Sequence, residues 1–246
     1  MRLSKAWIIA EKDFAIFRKK KSVIYSVVLF PLFVSISLPL IVQFIGSESG
    51  EGIPADVFQV VLNAFSFLFI TGAVTLPIAI ASYSLVGEKV QKSIEPLLAT
   101  PITEGEILLG KSIAAFLPPI AAIYVGAVIF MALIDSLTSG TLGYFYFPNW
   151  NIGVIMFLLA PLGSILSIEL DILISSRVND LRAAQQLGGL VALPFAGIYV
   201  LAEASILSLE TSNLLIISAS LVAIDVILFY ISEAVFRREK ILTKWK

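Results

Sequence analysis

The sequence contains no cysteine and no histidine, and only 14% of its 246 residues are charged. The first two absences exclude disulfides, thiol nucleophiles, Cys/His zinc sites, haem ligation through either residue and Ser-His catalysis. The scarcity of charge sets the chain apart from a soluble domain, where about 25% is usual. It extends over the whole length, with 58% hydrophobic residues and a mean hydropathy of +0.96. That composition fits an all-α, multispanning protein embedded in a lipid bilayer. For such a protein the missing cysteines say nothing about compartment. No internal repeat, no metal-binding cluster of acids and no soluble domain large enough to fold alone is visible. The chain is expected to carry no cofactor and to meet no nucleic acid.

Six apolar stretches are present, each near the roughly 20 residues that cross hydrocarbon as a helix. They run at about 23–45, 60–86, 107–134, 152–174, 187–202 and 214–236. The fifth is short; the second and third are long enough to tilt. Before them, residues 1–22 carry seven Lys/Arg and two acids. Within that segment Leu3, Trp7, Ala10, Phe14 and Phe17 recur at helical spacing, with charge opposite. The pattern predicts an amphipathic helix lying in the membrane interface. The apolar run after "RKKKS" exceeds a secretory h-region and lacks a small-x-small cleavage site, so it reads as an uncleaved first span.

Lys and Arg predict the orientation. If the N-terminus is cytoplasmic, the inner segments 1–22, 87–112, 175–186 and 237–246 hold all 17 basic residues. The outer loops 46–59, 135–151 and 203–213 hold none, but contain six acids. An odd number of spans would scatter the basic residues over both faces.

One motif invites a different reading. "GEILLGKS", Gly105–Ser112, satisfies the phosphate-binding pattern G-x-x-x-x-G-K-[ST]. A phosphate loop needs a buried strand before it and free backbone amides within it. Here Thr103 and Glu106 form a T-x-x-E capping box. The helix therefore starts before Gly105 and commits those amides. Ile107, Leu108 and Leu109 suit apolar packing, and no Walker B pattern follows. Nucleotide binding is not expected; Lys111 is expected to snorkel to headgroups.

The neighbourhood of that motif resembles a known family. "GEKVQKSIEPLLATPITEGEILLGK", residues 87–111, is similar to the cytoplasmic segment between spans two and three of ABC transporter permeases of the type-2 exporter class. Gly87, Glu88, Lys89, Glu95, Leu97, Leu98, Ala99, Thr100, Pro101, Glu106, Ile107, Leu108, Gly110 and Lys111 carry the likeness. "ISSRVNDLRAAQQLGGLVALP", residues 174–194, resembles the family's other inner loop through Ser175, Ser176, Arg177, Ala184 and Gln185. The polar "SIELD" at 167–171 departs from the pattern.

The resemblance implies a permease subunit without its own ATPase site, in a prokaryotic cell membrane with both termini cytoplasmic. It implies a second copy of the chain, or a similar permease, and a separate cytoplasmic ATP-binding-cassette ATPase as partners. Residues 87–106 and 175–186 would receive force from that ATPase. In the first, Val90, Ile94, Leu97 and Leu98 form a helical apolar stripe, with Glu88 able to pair with Lys92. Glu88, Lys89, Val90, Ile94, Leu97, Leu98, Arg177 and Arg182 are the candidate coupling residues. A plain linker helix and ordinary positive-inside anchoring explain the same residues without coupling.

Acids within spans mark a candidate substrate or ion path: Glu169, Asp171 and Asp225. Asp225 lies near mid-membrane, where an ionised acid costs at least ~2.5 kcal/mol. Glu169 shares a helix face with Arg177. The alternatives are structural hydrogen bonds between helices, or a secondary transporter driven by an ion gradient through Glu169 and Asp225. The absence of inverted repeats counts against the latter.

Overall fold

The structure is a computed structural model, and it describes residues 2–49, 55–90, 102–204, 206, 208 and 210–235. All regular structure among the described residues is helical. Helix α1 covers Leu3–Lys19, α2 Lys21–Ser49, α3 Ala55–Val90 and α4 Glu104–Leu142. Helix α5 covers Trp150–Arg177, α6 Leu181–Gly189, α7 Ala192–Glu203 and α8 Thr211–Val235. Six segments are long and apolar enough to cross a membrane: α2 to α5, α6 with α7, and α8.

Local chemistry sets several boundaries. Thr103 and Glu106 form the expected capping box at the start of α4: Glu106 N–H donates to Thr103 Oγ1, and Thr103 N–H to Glu106 Oε2. Gly143 ends α4 at φ 75°, a left-handed conformation that favours glycine. Asn149 and Asp180 cap α5 and α6 by accepting from the N–H groups of Ile152 and Arg182. The break between α6 and α7 precedes Pro194, which has no N–H to offer Leu190 in a continuous helix.

Proline also shapes α5, which contains a π-helical turn at Ile155–Leu159. Ala160 N–H donates to Ile155 O, five residues back. Continuing that register would require residue 161 to serve Met156 O, but residue 161 is proline. Tyr124 of α4 fills the gap, its hydroxyl donating to Met156 O at 3.0 Å.

Helix α3 is the hub and packs against α2, α4, α5, α6 and α7. Phe69, Phe130, Ile134, Phe147 and Leu159 belong to one apolar cluster. Ile9, Phe17, Ile80, Ile107, Ile168 and Ile172 belong to a second, where α1 crosses α4. A Cβ on Gly110 would lie 2.5 Å from Ala6 O, so glycine is what permits that close crossing.

The face of α1 buried within the protein comprises Ala6, Ile9, Ala10, Asp13 and Phe17, whereas Leu3 and Trp7 of the apolar stripe are exposed.

Candidate functional site

Every Lys and Arg among the described residues lies on or directly beside α1, at the start of α2, or near one end of α3, α4, α5 or α6. At the centre of this basic end is Lys111. Its Nζ is 2.7 Å from Glu88 Oε2 and 3.6 Å from Asp13 Oδ2. It also donates to Ser84 O and Ser84 Oγ, at 3.2 and 2.9 Å. Ser84 Oγ in turn donates to Asp13 Oδ2 at 2.6 Å, and Lys12 Nζ to Glu88 Oε1 at 2.7 Å. The network thus joins α1, α3 and α4. Lys111 does not snorkel: its side chain is 2% exposed. Two carboxylates on the neighbouring helices compensate its charge where headgroups would otherwise have done so.

Glu88, a candidate coupling residue, belongs to this buried network and is paired with Lys12 and Lys111. Its neighbour Lys89 turns the other way. Lys89 Nζ donates to the carbonyls of Ser175, Ser176 and Val178, at the C-terminal end of α5. A cation there satisfies carbonyls that lack intrahelical donors and opposes the negative end of the helix dipole. The end of α3 is thereby strapped to the α5–α6 connection. The two segments expected to receive force are joined by one side chain.

Val90, Arg177 and Arg182 are exposed beside this strap. Ile94, Leu97 and Leu98 lie outside the described residues, as does Lys92. Asp13, Lys12 and Ser84 were not singled out from sequence. The signal was present for Asp13: it is the one acid on the α1 face Ala6, Ala10, Asp13, Phe17. An acid within an apolar helical stripe calls for a buried partner.

The three membrane acids separate into two kinds. Asp171 is fully buried between α3 and α5, accepting from Ser82 Oγ at 2.6 Å and Ser175 Oγ at 3.3 Å. A Cβ on Gly188 would come within 3.1 Å of Asp171 Oδ1, so α6 closes over it. The Asp171 carboxylate is thus engaged by hydrogen bonds from α3 and from its own helix. Glu169 of α5 and Asp225 of α8 are also buried, but Glu169 Oε2 and both carboxyl oxygens of Asp225 have no hydrogen-bond partner. Arg177, two turns from Glu169, is exposed at the helix end, and no ion pair joins them among the described residues.

Toward the opposite end, a cavity of about 390 Å³ opens among α3, α5, α7 and α8. Its walls include Phe67, Trp150, Ile155, Phe195 and Tyr199, and no charged residue lines it. The π-turn forms part of the wall. Asp135 Oδ1 accepts from the N–H groups of Tyr146 and Phe147, fastening the adjoining connection to α4.

No group of three or more acids that could hold a metal ion occurs among the described residues. The "GEILLGKS" segment is helical throughout, with Gly110 against α1 and Lys111 in an ion pair, so neither is presented to a phosphate. No individual curated protein matches the sequence. A family model described as ABC-2 family transporter protein matches residues 7–232.

Proposed function

From the premise that this chain belongs to the ABC-2 transporter family and is a membrane permease of it, we propose that two copies form an ATP-driven export pathway. A separate cytoplasmic ATP-binding-cassette ATPase would drive each copy through residues 87–106 and 175–186. The observation that carries this reading is the strap from Lys89 to the carbonyls of Ser175, Ser176 and Val178. A pull on either segment acts on α3, the hub of the bundle, and on α5 together. The buried network of Lys111, Glu88 and Asp13 gives α1 and α4 a share in the same movement.

The orientation follows from charge. With the basic end cytoplasmic, the eleven Lys and Arg among the described residues lie on the cytoplasmic side, which agrees with the positive-inside rule. Large exposed apolar residues on α2 and α8, among them Phe33, Phe44, Ile216 and Tyr230, suit lipid or a second copy. Family membership favours the ATP-driven reading over one powered by an ion gradient.

Purification from the native host tests the proposal. An ATPase subunit should accompany the chain and be lost when Leu97 and Leu98 are both replaced by Asp. Transport driven by a proton gradient with no ATPase present would overturn it.

A further inference from the structure

The cavity among α3, α5, α7 and α8 changes character from one end to the other. Tyr144, Tyr146, Asn149 and Asn151 line it from the α4–α5 connection and the first turn of α5. Further along α5 the lining becomes Ile155 and Leu159, joined by Phe195 of α7 and Ile217 of α8. Asn151 and Leu159 are separated by about 12 Å of helix. A polar rim near the outer connections thus leads to an apolar floor toward the bilayer centre. The volume of about 390 Å³ lies near the lower end of small-molecule sites, roughly 300–1,000 Å³. The π-turn at Ile155–Leu159 contributes to the wall, and such turns often occur at functional sites.

The rim is fixed by bonds that leave one group pointing to a ligand's chemistry. Asp135 Oδ1 holds the N–H groups of Tyr146 and Phe147, at 2.9 and 3.1 Å. Thr211 Oγ1 donates to Asn151 Oδ1 at 2.6 Å, tying α8 to α5. Asn149 Oδ1 accepts from Ile152 N–H. What the Asn149 side chain offers a ligand is therefore the donor end of its amide, which suits an ester or hydroxyl oxygen.

Charge narrows the class further. The connections at this end, 46–59, 135–151 and 203–213, contain no Lys or Arg over their full length, but six acids. The basic segments 1–22, 87–112, 175–186 and 237–246 belong to the opposite end. An anionic head at the rim would meet no cation and would be repelled by the acids. An ionised group drawn down to the apolar floor would be left uncompensated.

We infer that this cavity binds an uncharged amphiphile with one apolar chain. Its oxygen-bearing head lies at the Asn149 rim and its hydrocarbon on the floor of Leu159 and Phe195, oriented as a lipid of the outer leaflet is. The small volume suits one chain rather than two. The site depends on the placement of the bundle in the bilayer, not on the proposed ATPase coupling, and the ATPase is absent from its test.

The full chain is reconstituted in phosphatidylcholine nanodiscs with a monoacylglycerol that carries a diazirine midway along its chain. Irradiation expels nitrogen, the carbene inserts into a neighbouring bond, and mass spectrometry locates the adduct. Adducts are expected around Leu159 of α5 or Phe195 of α7, and unlabelled monoacylglycerol should lower them several-fold. The same photoreactive chain on lysophosphatidate or phosphatidylcholine should label these residues several-fold less. Asn149→Asp keeps an acceptor for Ile152 N–H but removes the amide donors, and should lower the monoacylglycerol label several-fold. An unchanged label in that variant would overturn the place given to the head. Ile217→Trp and Ile198→Trp fill the cavity from α8 and α7 and should each reduce the label to background. No adduct on the cavity lining, equal labelling by all three heads, or a label that neither filling variant reduces would overturn the proposal.

Discussion

Lys111 Nζ lies 2.7 Å from Glu88 Oε2, with 2% and 9% of the two side chains exposed. Removing one partner of a buried ion pair leaves the other charge uncompensated, at a cost of roughly 3–5 kcal/mol. Lys111→Met and Glu88→Gln are therefore expected to lower unfolding stability by about 3 kcal/mol or more. Lys12 binds the same carboxylate from a side chain that is 43% exposed. Lys12→Ala should cost no more than about 1 kcal/mol. Denaturant unfolding of the purified chain measures all three; equal losses for Lys12→Ala and Lys111→Met would contradict the burial argument.

Gly110→Ala tests the helix crossing. The added Cβ would stand 2.5 Å from Ala6 O and 2.8 Å from Ile9 Cβ. The first contact is with backbone, so α1 must move away from α4. Overpacking of this kind costs about 1–3 kcal/mol. The variant should also make Ala6→Cys and Ala10→Cys probes, buried at 0% exposure in the parent, react faster with a water-soluble maleimide. An unchanged rate would show that the crossing tolerates the methyl group.

Much of this architecture is legible in the sequence, and the reasons differ by level. Spans declare themselves because a membrane helix must be apolar over its whole length. The α4 capping box is equally legible, because its partners are three residues apart. The ion network is not, because it pairs Lys12 with Glu88 and Asp13 with Lys111 across long stretches of chain. Local spacing instead suggested Lys92 for Glu88 and headgroups for Lys111. The division between Asp171 and Glu169 is also tertiary: two residues on one helix differ only in whether a serine of a neighbouring helix reaches the carboxylate.

The π-turn of α5 yields a non-additive pair of substitutions. Tyr124→Phe removes the hydroxyl that serves Met156 O, and a buried unsatisfied carbonyl costs about 1–3 kcal/mol. Pro161→Ala supplies an N–H at the position from which a π-helical bond reaches Met156 O. Tyr124→Phe should therefore cost clearly less in the Pro161→Ala background than alone. A double-mutant cycle from denaturant unfolding gives the coupling. Strict additivity would mean that proline does not create the need for Tyr124.

Lys89 permits a test of transmission separate from docking. Its ammonium group bridges the end of α3 to carbonyls of Ser175, Ser176 and Val178, and Lys89→Met keeps the stem while removing every donor. The last carbonyls of α5 then lose that cation, and the ends of α3 and α5 lose their charge-assisted link. Spin labels at the exposed Val90 and Arg182 report the separation across the strap. A narrow distance distribution is expected in the parent and a broad one in Lys89→Met. Because Leu97 and Leu98 are unaltered, an ATPase partner should still co-purify, while its hydrolysis no longer changes the measured distance. A distribution that stays narrow in Lys89→Met would show that packing of α3 on α5 alone holds the two segments together, and Lys89 would lose its place in the coupling proposal.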